Sequence, residues 1–497
     1  MTGRDIAIPP RYSGPARAKE ITRTTLYKLA PILMTFLLGL PAARAQQPSA
    51  RDSGQSASEL PLQPDATGRS DGADVPVPAT GNLSSSGGSS QAQPDTHVLS
   101  GGETLGLGSL RARRSFFDPV LSITEGADTG LTPGRTASTS SIGGGFALDQ
   151  QWSRFHLIMQ YSGSKLLTYP RSIYDSSYHH LSFAQTITFG RWVVRLRDDL
   201  LLSPQSNFGG LDLAAAPLPA SDAALTSVTP QIEPTQTIQT GWAQRLDNTL
   251  LGEVDYSLSR RATVTLVGSY GLLHFLHSGF IEGNNPQGRV GYTYLLTHKD
   301  SVGITYNYSL MRFIGTPSRT QSHLAQVSFA HSLLGRWAFQ VSAGPQLFQL
   351  QNFGLASNGR WTWSITSNLT YQTRHVGYSL GFFREITSGS GVMLGAKTTG
   401  LTATIGRSLT RYWSGSLNGG YARNSDLTPA QNSQFSYWFA GANLGRPLGR
   451  HLHFGLNYQY QQQKSTGACL VVSCGLNIGR NIGSIGLEWH PLGVRTE

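Results

Sequence analysis

The chain has 497 residues, of which 13% are charged; its 39 Lys and Arg against 28 Asp and Glu give a net charge of +11. Apolar residues make up 39%, too small a share for a bundle of membrane helices, and the charge content is about half that of a typical soluble protein. No basic cluster interleaved with aromatic residues indicates nucleic-acid binding.

Residues 1–45 have the features of a cleavable signal peptide. Six Lys and Arg residues lie before or at the edge of an apolar stretch, LAPILMTFLLGL, and the motif AARA ends at Ala45. The stretch is shorter than the roughly 20 residues that span a bilayer, so we expect export and cleavage; the alternative is a retained membrane anchor. Cleavage would leave a net charge of +6, because residues 1–45 contribute +5.

Residues 46–114 are rich in Ser, Gly, Pro, Gln, Asp and Ala, as in GNLSSSGGSSQAQPD, and they show no apolar periodicity. Such composition is typical of a disordered segment. We predict a low-complexity periplasmic linker here, followed by a single folded unit at 115–497.

From about Phe116 to His490 the pattern has a period of two. In VGITYNYSL, which begins at Val302, large apolar and aromatic residues alternate with Gly, Thr, Asn and Ser. Successive side chains of a strand point to opposite faces, so these segments predict strands with one apolar face and one small polar face.

Short polar or basic turns recur along this region. They lie near 150–153, 189–191, 258–261, 297–300, 333–336, 372–375, 408–411 and 446–450. Two strands of about ten residues fit between one turn and the next, and one more strand fits at each end, near 118–126 and 479–489. We therefore predict 18 strands, with 16 as the alternative, and both chain ends on the rim of the short turns.

Short turns on one rim, longer loops on the other and an outward apolar band are typical of a transmembrane antiparallel up-and-down β-barrel. Hydrocarbon requires every backbone polar group to be paired, and only a closed sheet leaves no open edge. The alternative is a large soluble sandwich or propeller, which would carry more charge on its exposed faces. Aromatic residues at strand ends fit interfacial girdles: Trp152, Trp192, Trp337, Tyr412, Trp413 and Trp489.

The last predicted strand, NIGSIGLEWH, strengthens this interpretation. With Ser484, Gly486 and Trp489 it resembles the terminal strands of Gram-negative outer-membrane β-barrel proteins of the porin-like type, although Pro491 stands where another apolar residue is expected. The resemblance implies location in the cell outer membrane, contact with lipid and lipopolysaccharide, and recognition by the barrel-insertion machinery. It does not identify a solute or an oligomeric state.

The longest predicted loop runs from about Pro204 to Asn248. A loop of this length is unusual in a compact domain, so we expect either a constriction folded into the lumen or a mobile surface loop. Part of it, QTIQTGWAQ, could instead extend the strand that follows.

The strands beside this loop carry the densest predicted inward charge. The pore-lining candidates are Arg195, Arg197, Asp199, Glu253, Asp255 and, on a later strand, Arg289. Charge on the lipid face costs about 2–4 kcal/mol for Arg or Lys at the midplane, which favours the lumen for these groups. They could create a transverse field that filters solutes, or simply pair with one another. Asp198 falls on the apolar side, where only a bulge or an interfacial position would explain it.

The two cysteines, Cys469 and Cys474, are close in sequence, so an exported chain could join them in a local disulfide; free thiols are the alternative. The sequence contains no G-x-S-x-G, P-loop or H-E-x-x-H motif, and we expect no enzyme, metal or cofactor.

The sequence thus favours a channel for small hydrophilic solutes or an export pore for a polymer. A structural or adhesive barrel with a plugged lumen is the second hypothesis, and a membrane-embedded hydrolase is the third.

Overall fold

A computed structural model describes most of the predicted barrel. The described residues are 116–132, 135–169, 176–204, 237–240, 243–333, 336–352, 355–356, 359–373, 376–410, 412–427, 433–449, 451–466, 477–491 and 494–495. The predicted signal peptide, the predicted linker, Cys469 and Cys474 lie outside these residues, as does most of the long loop.

The described part of the chain contains eighteen long strands and two strands of two residues each. The long strands are Phe116–Thr132 (β1), Arg135–Gln151 (β2), Phe155–Tyr169 (β3), Ser176–Phe189 (β4), Trp192–Ser203 (β5), Arg245–Ser257 (β6), Ala262–Phe275 (β7), Glu282–Leu295 (β8), Asp300–Ile314 (β9), Arg319–Leu333 (β10), Trp337–Asn352 (β11), Arg360–Gln372 (β13), Val376–Thr387 (β14), Ala396–Ser408 (β15), Ser414–Asp426 (β16), Gln434–Pro447 (β17), Leu452–Thr466 (β18) and Ile478–Trp489 (β19). The short ones, Leu355–Ala356 (β12) and Val494–Arg495 (β20), pair with the ends of β11 and β1.

Each long strand is antiparallel to its neighbours, and the first and last long strands close the sheet. β1 pairs with β19 in continuous register from Leu121 opposite Trp489 to Asp128 opposite Ile482. β11 pairs directly with β13, so the wall contains eighteen strands. The predicted fold class and the predicted strand number are therefore confirmed, and the alternative of sixteen strands is wrong.

A recurring hydroxyl explains half of the eight short turns. Ser259, Thr297, Thr373 and Thr410 each begin a turn, and in each case the side-chain oxygen accepts a hydrogen bond, at 3.1 Å, from the backbone N–H three residues later. The backbone N–H of the same Ser or Thr donates to the carbonyl of that later residue. This combination closes the hairpin locally, which is why a short polar segment recurs along the sequence.

The two faces of the wall differ in chemistry as the period of two predicts. Outward side chains include Ile304, Val327 and Leu266, which are between 59% and 64% exposed. Inward positions carry mainly Ser, Thr, Gln, Asn and charged residues that are buried against the lumen. The exposed apolar surface is too extensive for a water-facing wall, so the outer face contacts lipid.

Aromatic side chains mark the rim formed by the short turns. Trp192 packs on Tyr256 of β6 with ring centroids 4.5 Å apart, and Trp337 packs on Tyr371 of β13 at 4.4 Å. Both Trp side chains are 40% exposed, as expected for an interfacial girdle. The protein has the architecture of an outer-membrane β-barrel of the porin-like type.

Two expectations about the strands are wrong. The long strands have 12 to 17 residues rather than about ten, because they continue beyond the apolar belt. The segment before β6 does not extend that strand: the described residues 237–240, 243 and 244 are irregular, and β6 begins at Arg245. Within the described ranges, no helix is long and apolar enough to cross a membrane.

Candidate functional site

Three of the predicted pore-lining residues meet on adjacent strands. Arg195 of β5 lies directly opposite Glu253 of β6 in the register, and its Nη1 atom donates to the carboxylates of Glu253 and of Asp255, the latter at 2.5 Å. Thr265 of β7 donates to the second oxygen of Asp255 at 2.5 Å. All four side chains are at most 8% exposed, so the group forms a buried ion-pair network in the wall.

Asp199 takes part in a separate pair. Its Oδ2 atom lies 2.9 Å from Nε2 of His180 on β4, and both side chains are 1% exposed. A third contact lies further along β6, where the buried guanidinium of Arg245 approaches Oδ2 of Asp247 to 2.9 Å. The sequence reasoning missed His180 because its partner is set by the cross-strand register. It missed Arg245 and Asp247, which share one face of β6, because both fall in the stretch predicted as the long loop.

Arg197 differs from Arg195, although both point to the lumen. Arg197 is half-buried, and it makes no hydrogen bond or ion pair with any residue that the structure describes. Its charge is therefore not neutralised by contact with a neighbouring carboxylate of the described wall.

Asp198 lies on the outer side of β5 without a bulge, because the pairing of β5 with both neighbours is continuous. Nδ2 of Asn248 on β6 donates to its Oδ1 at 3.0 Å. An amide partner on the same outer face therefore accounts for this position, in place of the bulge considered from the sequence.

The end of the long loop lies inside the barrel. In the described segment 237–240, the backbone N–H of Gln239 donates to Oε1 of Gln463 at 2.7 Å, and Nε2 of Gln463 donates back to the carbonyl of Gln239 at 3.1 Å. Thr237 and Asn424 form a similar reciprocal pair at 2.7 and 3.2 Å. Gln463 and Asn424 belong to β18 and β16, so this segment crosses the lumen from β6.

A second connection, residues 388–395 between β14 and β15, also turns inward. Gly389, Ser390 and Gly391 have φ angles of 78°, 55° and 79°, and the carbonyl of Gly391 accepts a hydrogen bond of 2.8 Å from the N–H of Ile281. Ile281 precedes β8, so this loop spans the lumen from β14 to the β7–β8 connection. The Gly-rich segment SGSG was the sequence signal for such a path, because left-handed φ angles favour glycine.

The two inward segments meet in an apolar cluster. Ile238 of the first segment packs with Val392 and Met393 of the second and with Ala396 and Phe435 of the wall, all at most 3% exposed. The loops therefore narrow the lumen with an apolar constriction rather than with the charged network of β5 and β6.

Beside this constriction lies a cavity of ≈ 120 Å³ with both polar and apolar lining. Its charged groups include Arg289 of β8, which was predicted to line the pore, and Glu385 of β14, which was not. Arg289 lies near enough for its charge to act on Glu385. Uncharged polar side chains complete much of the lining: Asn285, Gln287, Asn307, Gln326, Gln346 and Thr366. The parity of FFREIT, with Phe383 and Glu385 inward, could have identified Glu385.

Several solved structures are similar in fold to this chain. The outer membrane protein OpdK from Pseudomonas aeruginosa is 10% identical with a TM-score of 0.40, and the match covers 76% of this chain and 99% of that chain. OccAB3 from Acinetobacter baumannii is 11% identical with a TM-score of 0.40 and the same coverage. OccK2 (OpdF) from Pseudomonas aeruginosa is 9% identical with a TM-score of 0.41, over 76% of this chain and 98% of that chain.

No family model matches the sequence, and no curated protein matches it.

Proposed function

We propose that this chain is a passive outer-membrane channel for small hydrophilic solutes. The observation that supports it best is the cavity inside a closed barrel, whose lining includes amide, hydroxyl and charged side chains. Polar side chains inside a closed barrel are suited to water and to solutes that exchange hydrogen bonds with the wall.

The inward loops favour small solutes over a polymer. The segments 237–240 and 388–395 both cross the lumen, and their contact at Ile238, Val392 and Met393 is apolar and buried. An export pore for a polysaccharide would need these loops to move away from the wall amides that bind them. Passage of small molecules beside the loops requires no such displacement.

The same apolar contact favours one competing function, a structural or adhesive barrel whose lumen is permanently plugged. A hydrolase has less support. The His180–Asp199 pair is 1% exposed on both sides and has no open face toward a substrate. We expect no catalytic activity from this pair.

Bilayer conductance of the purified full-length protein tests the proposal. A channel gives discrete current steps in a salt solution, and liposomes that contain the protein swell in small sugars but not in large dextrans. A barrel that inserts fully, as judged by heat-dependent mobility on a gel, yet gives neither current nor swelling would support the plugged alternative and reject the channel.

A further inference from the structure

Glu385 places a carboxyl group inside the cavity, away from any ion-pair partner of the described wall. Its side chain faces the lumen from β14, and it makes no hydrogen bond or ion pair with a residue in the described ranges. Other inward carboxylates of the described wall differ: Glu253 and Asp255 bind Arg195, Asp199 binds His180, and Asp128 binds Arg480. Asp247, which also lines this cavity, lies 2.9 Å from the guanidinium of Arg245. A carboxylate held in such a cavity is stabilised when a cation or a hydrogen-bond donor binds it.

The uncharged groups around the same cavity also present acceptors. Oδ1 of Asn285, Oδ1 of Asn307 and Oε1 of Gln346 are buried, and none accepts a hydrogen bond from the described protein. Gln346 is 4% exposed, and its amide nitrogen is already engaged with Oγ of Ser322 at 2.8 Å. These three acceptor oxygens therefore require hydrogen-bond donors from the molecule that occupies the cavity.

An ammonium group is the complement of this set, because it is charged, donates three hydrogen bonds and accepts none. We propose that the cavity is a binding subsite for the ammonium group of a small organic solute, with Glu385 as the residue that binds it. The subsite deepens the proposed channel function and rests on it, since the solute reaches Glu385 through the lumen.

Arg289 adds a cationic group to the same cavity, five strands from Glu385 around the wall. Two kinds of solute share the required ammonium: a simple organic cation, and a zwitterion whose carboxylate would lie toward Arg289. The apolar lining from Leu272, Met311 and Phe313 accepts the short hydrocarbon part of either.

Ligand-observed saturation-transfer NMR on the detergent-solubilised full-length protein tests the subsite without requiring conduction. The probes are propylammonium, 1-propanol and propionate, which share their carbon chain and differ in the charged or polar end. We expect propylammonium to bind most tightly and Glu385→Gln to weaken it by roughly tenfold, the effect of losing one hydrogen bond to a charged group. Glu385→Gln keeps the size of the side chain and should preserve the fold.

Asp300→Asn is the matched control, because it removes one carboxylate from the rim of the short turns, outside the cavity. It should leave propylammonium binding unchanged. Equal binding of the three probes, or equal propylammonium affinity in Glu385→Gln and the wild-type protein, would overturn the subsite.

β-Alanine then separates the two sources of the ammonium group. Tighter binding of β-alanine than of propylammonium, lost in Arg289→Gln, indicates a zwitterion subsite, whereas equal or weaker binding indicates a subsite for simple cations. Bilayer current, measured on the same protein, separates the subsite from the channel proposal. A protein that conducts but does not bind the ammonium probe overturns the subsite alone. A protein that binds the probe but does not conduct rejects the channel alone.

Discussion

Two arginines on the same face of β5 differ in the contacts that their charged groups make. Arg195 is held by two carboxylates in the wall, whereas Arg197, two residues later on the same side, is half-buried and has no contact partner in the described wall. A field across the lumen, as considered from the sequence, therefore depends on Arg197 more than on Arg195.

We predict that Arg197→Gln shifts the ion selectivity of the channel toward cations. A unit charge at about 4 Å contributes about 1 kcal/mol in a water-like medium, so the cation-to-anion permeability ratio should rise several-fold. The reversal potential in a KCl gradient measures this ratio. Arg191→Gln, which removes the same charge from an exposed turn, is the control and should change the ratio less; equal shifts would contradict a role for Arg197.

Parity along a strand was enough to predict the lumen side for these residues, but it could not predict their partners. The contact of Arg195 with Glu253 depends on the register between β5 and β6, which are separated in sequence by the long loop. Alternation fixes which face a side chain occupies, and only the pairing of strands fixes what lies beside it. Parity could also have placed Glu385 on the lumen side of β14, but it could not show the cavity that gives this residue its importance, because that cavity is formed by side chains of several strands.

At the scale of elements, the seam between β1 and β19 is secured from the lumen by charge. Arg480 of β19 binds Asp128 of β1, with Nε 2.8 and 2.7 Å from the two carboxylate oxygens. Below the seam, at the rim of the short turns, Nδ1 of His490 lies 3.7 Å from Asp118 and Nε2 lies 3.6 Å from Glu488. The Arg480–Asp128 pair and the His490–Asp118 contact each join β1 to the C-terminal part of the described wall, at and just after β19.

We predict that the closed barrel loses stability as pH rises toward 10. Asp118 first, and then Glu488, raise the pKa of His490 to about 9, above the usual value of about 6.5. The stabilisation is therefore complete below about pH 6.5 and is lost as pH rises through about 9. Urea unfolding midpoints at several pH values measure it.

His490→Gln should flatten the pH dependence in this window. The neighbouring His451, whose Nδ1 lies 2.9 Å from the carbonyl of His490, and His453, whose ring centroid lies 4.9 Å from that of His490, are the other titratable groups at the site. An unchanged slope in His490→Gln would assign the effect to other groups.

The inward loop at 388–395 gives a prediction about pore size. A Cβ at Gly391 would lie 2.4 Å from the ring of Phe275, and its φ of +79° is itself unfavourable for other residues. We expect Gly391→Ala to displace the loop from the β7–β8 connection and to raise single-channel conductance.

Gly315→Ala is a close control for this change. Gly315 has a φ of +81°, but a Cβ there meets nothing within 4 Å. Both variants bear the strain of about 1–3 kcal/mol for a left-handed residue, so only the steric effect differs between them. Equal conductance in the two variants would contradict a constriction formed by this loop.

The turns and the strand order were predictable at this scale, whereas the path of the loops was not. All eight short connections fall between the strands that the sequence predicted, and Ser or Thr hydroxyls specify four of these turns locally. The inward course of residues 237–240 depends on side-chain amides of β16 and β18. These amides lie 187 and 224 residues away in the sequence. Contacts of that range leave no periodic signal.

At the scale of the whole molecule, the channel depends on which solvent, lipid or water, contacts each face of the wall. Two adjacent residues of β10 show the difference between the faces. Val327 is 63% exposed on the outer face. Gln326 lines the cavity and donates to Oγ of Ser364 at 3.2 Å. One residue step separates the exposed outer face from the lumen side of the wall.

We predict that Val327→Arg destabilises the inserted barrel by about 2–4 kcal/mol, the cost of Arg on a lipid face near the midplane. Gln326→Arg should cost much less, because its charge enters the cavity whose lining includes Glu385 and several amide side chains. Urea titration of the two variants folded into lipid vesicles measures the difference. Equal costs would mean that both faces meet a similar solvent, and the outer surface would then be a protein or water interface instead of the lipid boundary on which the channel depends.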